Sequence, residues 1–417
     1  MVDGVGTWVE QASYIIMPWL DEKLPGPLSG VKVIDMSNIV FGPFGSQILG
    51  DLGADIIKIE NGTGDMLRYL GPSHVRGLGP LYLNLNRNKR SLNMDLSKDD
   101  SKIILKELLK GADVFFHNVR TAGITRLGFD YDRVKTINPS IIYVHCCGYG
   151  SGGTYDGLLA YDDLIQSASG MAGLLPLSGG EAPQYMPATM ADKTSGLYSA
   201  YATIAALFHR ERSGEGQFVE VPMLEVAAHF NMVEHLYGQS FEPHMGSVAY
   251  PRSINPRRKP YKTKDGYIAI IPYSDLHWAT FLELGGMPDV FKDPRFSTFK
   301  ARTQNTDELY ALIEEITPSR TTEEWFQLLI AENIPVMRYN PVDEVINDPH
   351  LNSVDFFQSR KHPDNFDYRA IKHPVNFSET PATIRIDARR NGADNADILS
   401  HFGLSEDEIE NVSGKKT

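Results

Sequence analysis

The sequence predicts an α/β fold: a doubly wound parallel sheet interrupted by a smaller α+β domain. Three observations carry this. Short, largely apolar strand patterns recur through the first half, as expected of strands buried on both faces. Segments with helical apolar spacing separate them, the alternation of a doubly wound sheet. From residue 239 the texture changes to prolines, glycines, a hairpin pattern and helical segments before an extended segment resumes near Asn333.

The elements follow in order. Val31–Met36 reads as a strand, Pro43–Leu52 as a helix with proline in its first turn, and Asp55–Glu60 as a second strand. Ser101–Leu109 has helical spacing, Asp113–Asn118 is a third strand and Ile141–Cys147 a fourth. Leu164–Leu174 is a helix rich in small residues, and Asp192–Arg212 is a longer one, stopped by Gly214 and Gly216. Gln217–Val221 is a brief strand and Pro222 to about Tyr237 another helix. Tyr261–Ile271 reads as a hairpin with Asp265-Gly266 as a type I′ turn, and Thr321–Glu324 is a capping-box pattern. The expected division is 1–225 with 335–417 for the large domain and 226–334 for the small one.

Composition narrows the function. The 417 residues include 40 Lys and Arg against 53 Asp and Glu, a net charge of −13. Nucleic acid and anionic membrane are therefore not default partners, and an anionic ligand needs a local basic patch. Two adjacent cysteines, Cys146 and Cys147, exclude a disulfide framework and a Cys-based zinc site. They suit buried packing in a reducing, cytoplasmic compartment. Apolar runs fall short of the roughly 18 residues of a membrane helix. Residues 1–27, with Tyr14–Leu20 as their apolar stretch, lack a basic n-region and read as an arm packed on the surface or on a partner chain, not as a signal peptide.

Among motifs, Gly148–Gly153 matches G-x-G-x-x-G, but no helix opens directly after it and Ser167–Leu175 holds no acid, so it reads as a turn rather than a dinucleotide site. No P-loop, nucleophile elbow or H-E-x-x-H is present. Arg87–Ser91 is a compact basic cluster, either a solvated loop or a seat for phosphates. Asp192 is either an ordinary capping acid or a nucleophile that helix amides and dipole hold ionised, and an ionised carboxylate needs no base to attack an activated acyl group. Asp162 and Asp163 read as surface or capping acids, with Tyr161 at a pocket wall or simply packed.

Taken together, Leu28–Asp35, Gly42-Pro43, Leu52–Glu60, Gly64-Asp65, Asn88–Ser91, Ala112–Val114 with Asn118, Leu127–Phe129, Asn138-Pro139, Ala191-Asp192, Arg212–Gln217, Asp293–Phe296, Ile334-Pro335 and Asp348–His350 resemble the family III CoA-transferases. The resemblance runs from about residue 28 to the C-terminus. It implies a large Rossmann-like domain drawn from both chain ends, a small domain between, and an interlocked homodimer. It implies an acyl-CoA and a small carboxylic acid as substrates, with no permanently bound cofactor and no metal. It places the family's nucleophile on Asp192 and CoA contacts on Asn38, Arg90, Met94, Asn118, Val119, Arg126 and Tyr161. Racemases of the family carry a Gly-His-Asp stretch where this chain has Ala160-Tyr-Asp162, and a tyrosine with a pKa of about 10 is a poor proton shuttle. The glycine run of the formyl-CoA transferases is missing between 240 and 260, and Val40-Phe41 replaces their glutamine before Gly42. The expectation is a CoA-transferase, the alternatives an α-methylacyl-CoA epimerase-type isomerase or a catalytically silent CoA-binding homologue.

Overall fold

In the computed structural model, which describes residues 18–20 and 24–413, the chain divides into two compact units. The first comprises residues 1–171, 185–230 and 353–417. Its centre is a six-stranded sheet of β1 (Lys32–Met36), β2 (Asp55–Glu60), β3 (Lys89–Asn93), β4 (Val114–His117), β5 (Ile142–Cys147) and β6 (Gln217–Pro222). The order is β3-β2-β1-β4-β5-β6 and every pair is parallel. Strand order reverses between β1 and β4, and the crevice beyond the carboxyl ends of such a pair is where open α/β sheets bind ligands.

Alternation along each strand sends successive side chains into two cores. Ile34, Ile57, Phe115 and Tyr143 join one cluster, covered by α2 (Asp99–Lys110), α4 (Tyr131–Ile137), α11 (Asn395–Ser400) and α12 (Glu406–Val412). Val33, Ile56, Val114, Phe116 and Val144 join the other, with α1 (Phe41–Asp51), α5 (Asp162–Ala168), α6 (Met190–Ser213) and α7 (Met223–His235). α1 and α6 lie so close that a Cβ on Gly45 would sit 2.1 Å from Ser199 Oγ, and one on Gly196 would sit 2.9 Å from Phe44. That approach fixes the start of α6 next to the loop after β1. Gly214, at φ 76°, ends α6 in the left-handed conformation open to glycine.

Described residues towards both ends of the chain meet beside the sheet. The outer edge of β3 is closed by the C-terminal segment: Ser91 N–H donates to Asp394 Oδ2 at 2.7 Å and Asn93 N–H to Asn395 Oδ1 at 2.8 Å. β3 itself corrects the reading of Arg87–Ser91 as a loop. All five of its residues are buried. Most of the arm expected at 1–27 lies outside the described residues; of those described, Trp19 is buried and Leu20 N–H donates to Asp55 Oδ2 at 3.0 Å.

The second unit comprises residues 172–184 and 231–352. It extends past the expected 226–334 because Val336–Arg338 (β9) pairs antiparallel with Tyr267–Ile270 (β8), which pairs with Tyr261–Lys262 (β7). Packed on this sheet are α8 (Asp275–Leu284), α9 (Thr306–Ile316) and α10 (Thr322–Ala331), around Trp278, Phe281 and Trp325. The capping box at Thr321 and Glu324 is formed. The type I′ turn is not: neither Asp265 nor Gly266 has positive φ, and four residues join β7 to β8. Asp265 is drawn instead to the start of α10, where its Oδ1 accepts from Thr322 N–H at 2.8 Å.

Candidate active site

A cavity of about 340 Å³ opens at the strand-order reversal, within the first unit. Its walls come from the loop after β1 (Asn38, Ile39), the loop after β4 (Asn118, Arg120), the end of β5 with its glycine loop, Tyr161 and Asp162 at the head of α5, and Asp192 on α6.

The loops after β1 and β4 are laced by one side chain. Asn118 Oδ1 accepts from Asn38 N–H at 3.0 Å, and its Nδ2 donates to Asn38 O at 2.8 Å. Ile39 is held at φ 69°, a costly conformation for a β-branched residue, while its N–H donates to buried Asp65 at 3.0 Å. Beneath the loop, Asp35 is fully buried and accepts from Ser37 and Ser46 at 2.5 and 2.6 Å, with Lys89 Nζ 3.1 Å away. Burial opposes its ionisation, but Lys89, Lys58 and the two hydroxyls prevail and hold the carboxyl well below the ordinary range.

Asp192 is the third residue of α6, in the first turn rather than at the cap, and is 8 % exposed. Its N–H donates to Asp162 Oδ1 at 2.9 Å. Asp162 is itself buried, which corrects its reading as a surface acid; Asp163 is exposed. Gln166 Nε2 donates to Asp162 Oδ2 at 2.6 Å, and Gln166 Oε1 accepts from Met186 N–H at 2.8 Å, so the segment leading into α6 is tied to the same group. The surroundings of Asp192 work against the expectation that helix amides and dipole hold it ionised. Burial, followed by the negative charges of Asp162 and Asp163, raises its carboxyl to about 7.

The glycine loop after β5 has its amides committed. Gly150 N–H donates to Glu225 at 2.9 Å, Ser151 N–H to Glu220 at 3.1 Å and Gly152 N–H to Asp156 at 2.9 Å. Carboxylates occupy what a pyrophosphate would need, in keeping with the turn reading. Gly148 is required by contact: a Cβ there would sit 2.2 Å from Ala160 Cβ, the residue that leads into Tyr161. Among the described residues one trio, His145, Cys147 and Glu220, has ligand atoms within 4.8 Å of one another. Glu220 also accepts from Ser151, and burial raises the Cys147 thiol.

Of the residues singled out from the sequence, Asn38, Asn118, Tyr161 and Asp192 line the cavity together. Tyr161 is 62 % exposed. Val119 is half-buried and not part of the lining, its carbonyl 3.2 Å from His145 Nε2. Arg126 is exposed on α3 (Thr121–Leu127), the helix that begins at the cavity. Arg90 and Met94 are elsewhere. Arg90 is buried on β3 with its guanidinium on Asp55 at 2.7 and 3.2 Å, and Met94 is wholly buried in the core. Arg87 is likewise on Asp51 at 2.6 and 2.9 Å. The basic cluster is an internal set of ion pairs, because the acids of β1, α1 and β2 neutralise it from across the sheet. The cation at the cavity is Arg120, exposed and without an ion-pair partner among the described residues. Sequence reading passed over it, though its place directly after the β4 pattern was the available signal.

The comparisons with known proteins meet the geometry here. The model of CoA-transferase family III matches residues 28–395. The chain belongs to that family. A succinate–glutarate CoA-transferase of Agrobacterium fabrum is 29 % identical over 392 residues, covering 90 % of this chain and 96 % of the relative. The probable fatty acyl-CoA transferase Rv3272 of Mycobacterium tuberculosis is 33 % identical over 342 residues, covering 78 % and 85 %. A crystal structure of Rv3272 superposes with a TM-score of 0.77 at 29 % identity, covering 90 % of this chain and all of that one. A CAIB/BAIF family protein from Brucella suis gives 0.76 at 28 % identity, covering 91 % and 100 %. No helix among the described residues of this family III chain is long and apolar enough to cross a membrane.

Proposed function

We propose that this protein moves CoA from an acyl-CoA donor to a carboxylic acid, with Asp192 as the nucleophile. The observation that carries the reading is the place of Asp192: a nearly buried carboxyl at the start of a long helix, in a cavity at the strand-order reversal of a family III chain. Its ionised oxygen attacks the thioester carbonyl and the C–S bond breaks, leaving an aspartyl mixed anhydride and CoA thiolate. The thiolate attacks the aspartyl carbonyl and the donor acid departs, leaving an aspartyl-CoA thioester. The acceptor carboxylate repeats the first step on that thioester, and returning thiolate releases the new acyl-CoA. Every intermediate keeps one acyl group activated, as an anhydride or a thioester. Relatives named for succinate, glutarate and fatty acyl groups agree with thioester and carboxylate substrates. We also propose that Asn38, Asn118, Arg120, Arg126 and Tyr161 face the coenzyme and that the chain works as an interlocked homodimer.

The test is mass spectrometry of the intact protein after incubation with succinyl-CoA. A CoA adduct localised to Asp192 is expected, and it disappears in Asp192→Ala while coenzyme binding persists. Full transfer activity in that variant would sink the assignment. The carboxyl raised to about 7, in a cavity that His145 also lines, gives an isomerase as second reading. Exchange of the α-proton in deuterated water without an acceptor acid separates it from transfer.

A further inference from the structure

The second unit holds its own cavity of about 800 Å³. Much of its wall is aromatic, including Tyr250, Tyr261, Tyr273 and Trp278, and the cationic segment Arg257–Lys259 reaches it. The cations there are not equivalent. Arg257 and Lys259 are neutralised by Glu314, with Asp307 also on Arg257. Arg302 is spent on Phe296 O and Asp275. Arg252 and Arg258 line the cavity too, and among the described residues neither has an ion pair or a side-chain hydrogen bond.

Tyr261 adds a second, independent observation. It is 4 % exposed, and its hydroxyl has no hydrogen-bond partner among the described residues. Its oxygen is not sealed off with the core, so it opens onto the cavity that the residue lines and is free to donate to a ligand. Burial, with Tyr310 and Glu314 nearby, keeps the phenol protonated and therefore a donor, while the charges of Arg252 and Arg258 act in the opposite sense. Two acids complete the lining: Asp307, held by Arg257, and Glu308. The cavity thus presents two uncommitted guanidiniums, one phenol donor and a wall of aromatic rings. Guanidinium forks match carboxylates, and aromatic walls match a flat apolar body.

We propose that the second unit binds an organic acid with an aromatic body, its carboxylate met by Arg252, Arg258 and the Tyr261 hydroxyl. The site is built within one unit and does not depend on Asp192 as a nucleophile. The probe is phenylacetate, titrated calorimetrically into the full-length protein in the absence of any acyl-CoA. Wild type binds it, and 2-phenylethanol, with the same ring but no charge, binds at least tenfold more weakly. Arg258→Met and Tyr261→Phe each weaken phenylacetate at least tenfold, with circular dichroism and melting temperature checking that the fold is kept. Asp192→Asn binds it like wild type. Unchanged affinity in both cavity variants, or no binding by wild type at millimolar phenylacetate, would overturn the proposal. So would loss of binding in Asp192→Asn, which would put the acid in the first unit.

Discussion

At the scale of single residues, the pairing of Asp192 with Asp162 sets a conflict. A nucleophile must be ionised, yet burial and a neighbouring acid hold Asp192 at about 7. Transfer by the free enzyme, followed as kcat/KM, is expected to rise between pH 6 and 8 as the carboxyl loses its proton. Asp162→Asn tests the cause. The amide oxygen still accepts the Asp192 N–H, while the charge is gone. Burial remains the larger influence, so the midpoint falls only by roughly 0.5–1 pH unit. An unmoved midpoint would mean that Asp162 is no more than a hydrogen-bond acceptor. Sequence reading found Asp192 through its motif and helix start but missed Asp162, because the contact between them spans 30 residues and nothing local in Tyr161-Asp-Asp163 distinguishes the buried acid from the exposed one.

At the scale of elements, β3 shows why legibility varied. Strands β1, β4 and β5 announce themselves by runs of two or three adjacent apolar residues, since the sheet is covered on both faces. Lys89-Arg-Ser-Leu-Asn93 has no such pattern. It is a strand because Asp35 and Asp55, from two other strands, await its cations, and the C-terminal segment closes its outer edge. The hairpin turn failed in a similar way: Asp265-Gly266 is a sound local signal, outweighed by the bond from Asp265 to Thr322. Two roles for Arg90 can be separated by one variant. As the partner of buried Asp55, Arg90→Ala costs about 3–5 kcal/mol by leaving a charge unpaired, read as a lower denaturant midpoint. The acyl-CoA KM of the folded fraction is unchanged. A raised KM at unchanged stability would restore Arg90 as a coenzyme contact.

At the scale of the whole molecule, the internal ion pairs bear on how a polyanionic coenzyme arrives. Lys58, Arg68, Arg87, Lys89 and Arg90 are each buried against an acid. Every such pair removes one charge of each sign from the surface, so the net charge of −13 is carried by the remaining groups and is still felt outside. Against that field stand Arg120 at the cavity and Arg126 on the helix that begins there, both exposed and without ion-pair partners among the described residues. Local attraction and global repulsion therefore oppose one another. Salt weakens both, with a Debye length of about 10 Å at 0.1 M. In wild type the two changes offset, and kcat/KM for acyl-CoA varies little between 20 and 150 mM NaCl. In Arg120→Ala/Arg126→Ala only repulsion remains. The double variant starts about tenfold lower in kcat/KM at low salt and recovers part of that loss as salt rises, the reverse of the usual decline for a charged ligand. A double variant whose kcat/KM falls further with salt would show that other cations guide the coenzyme.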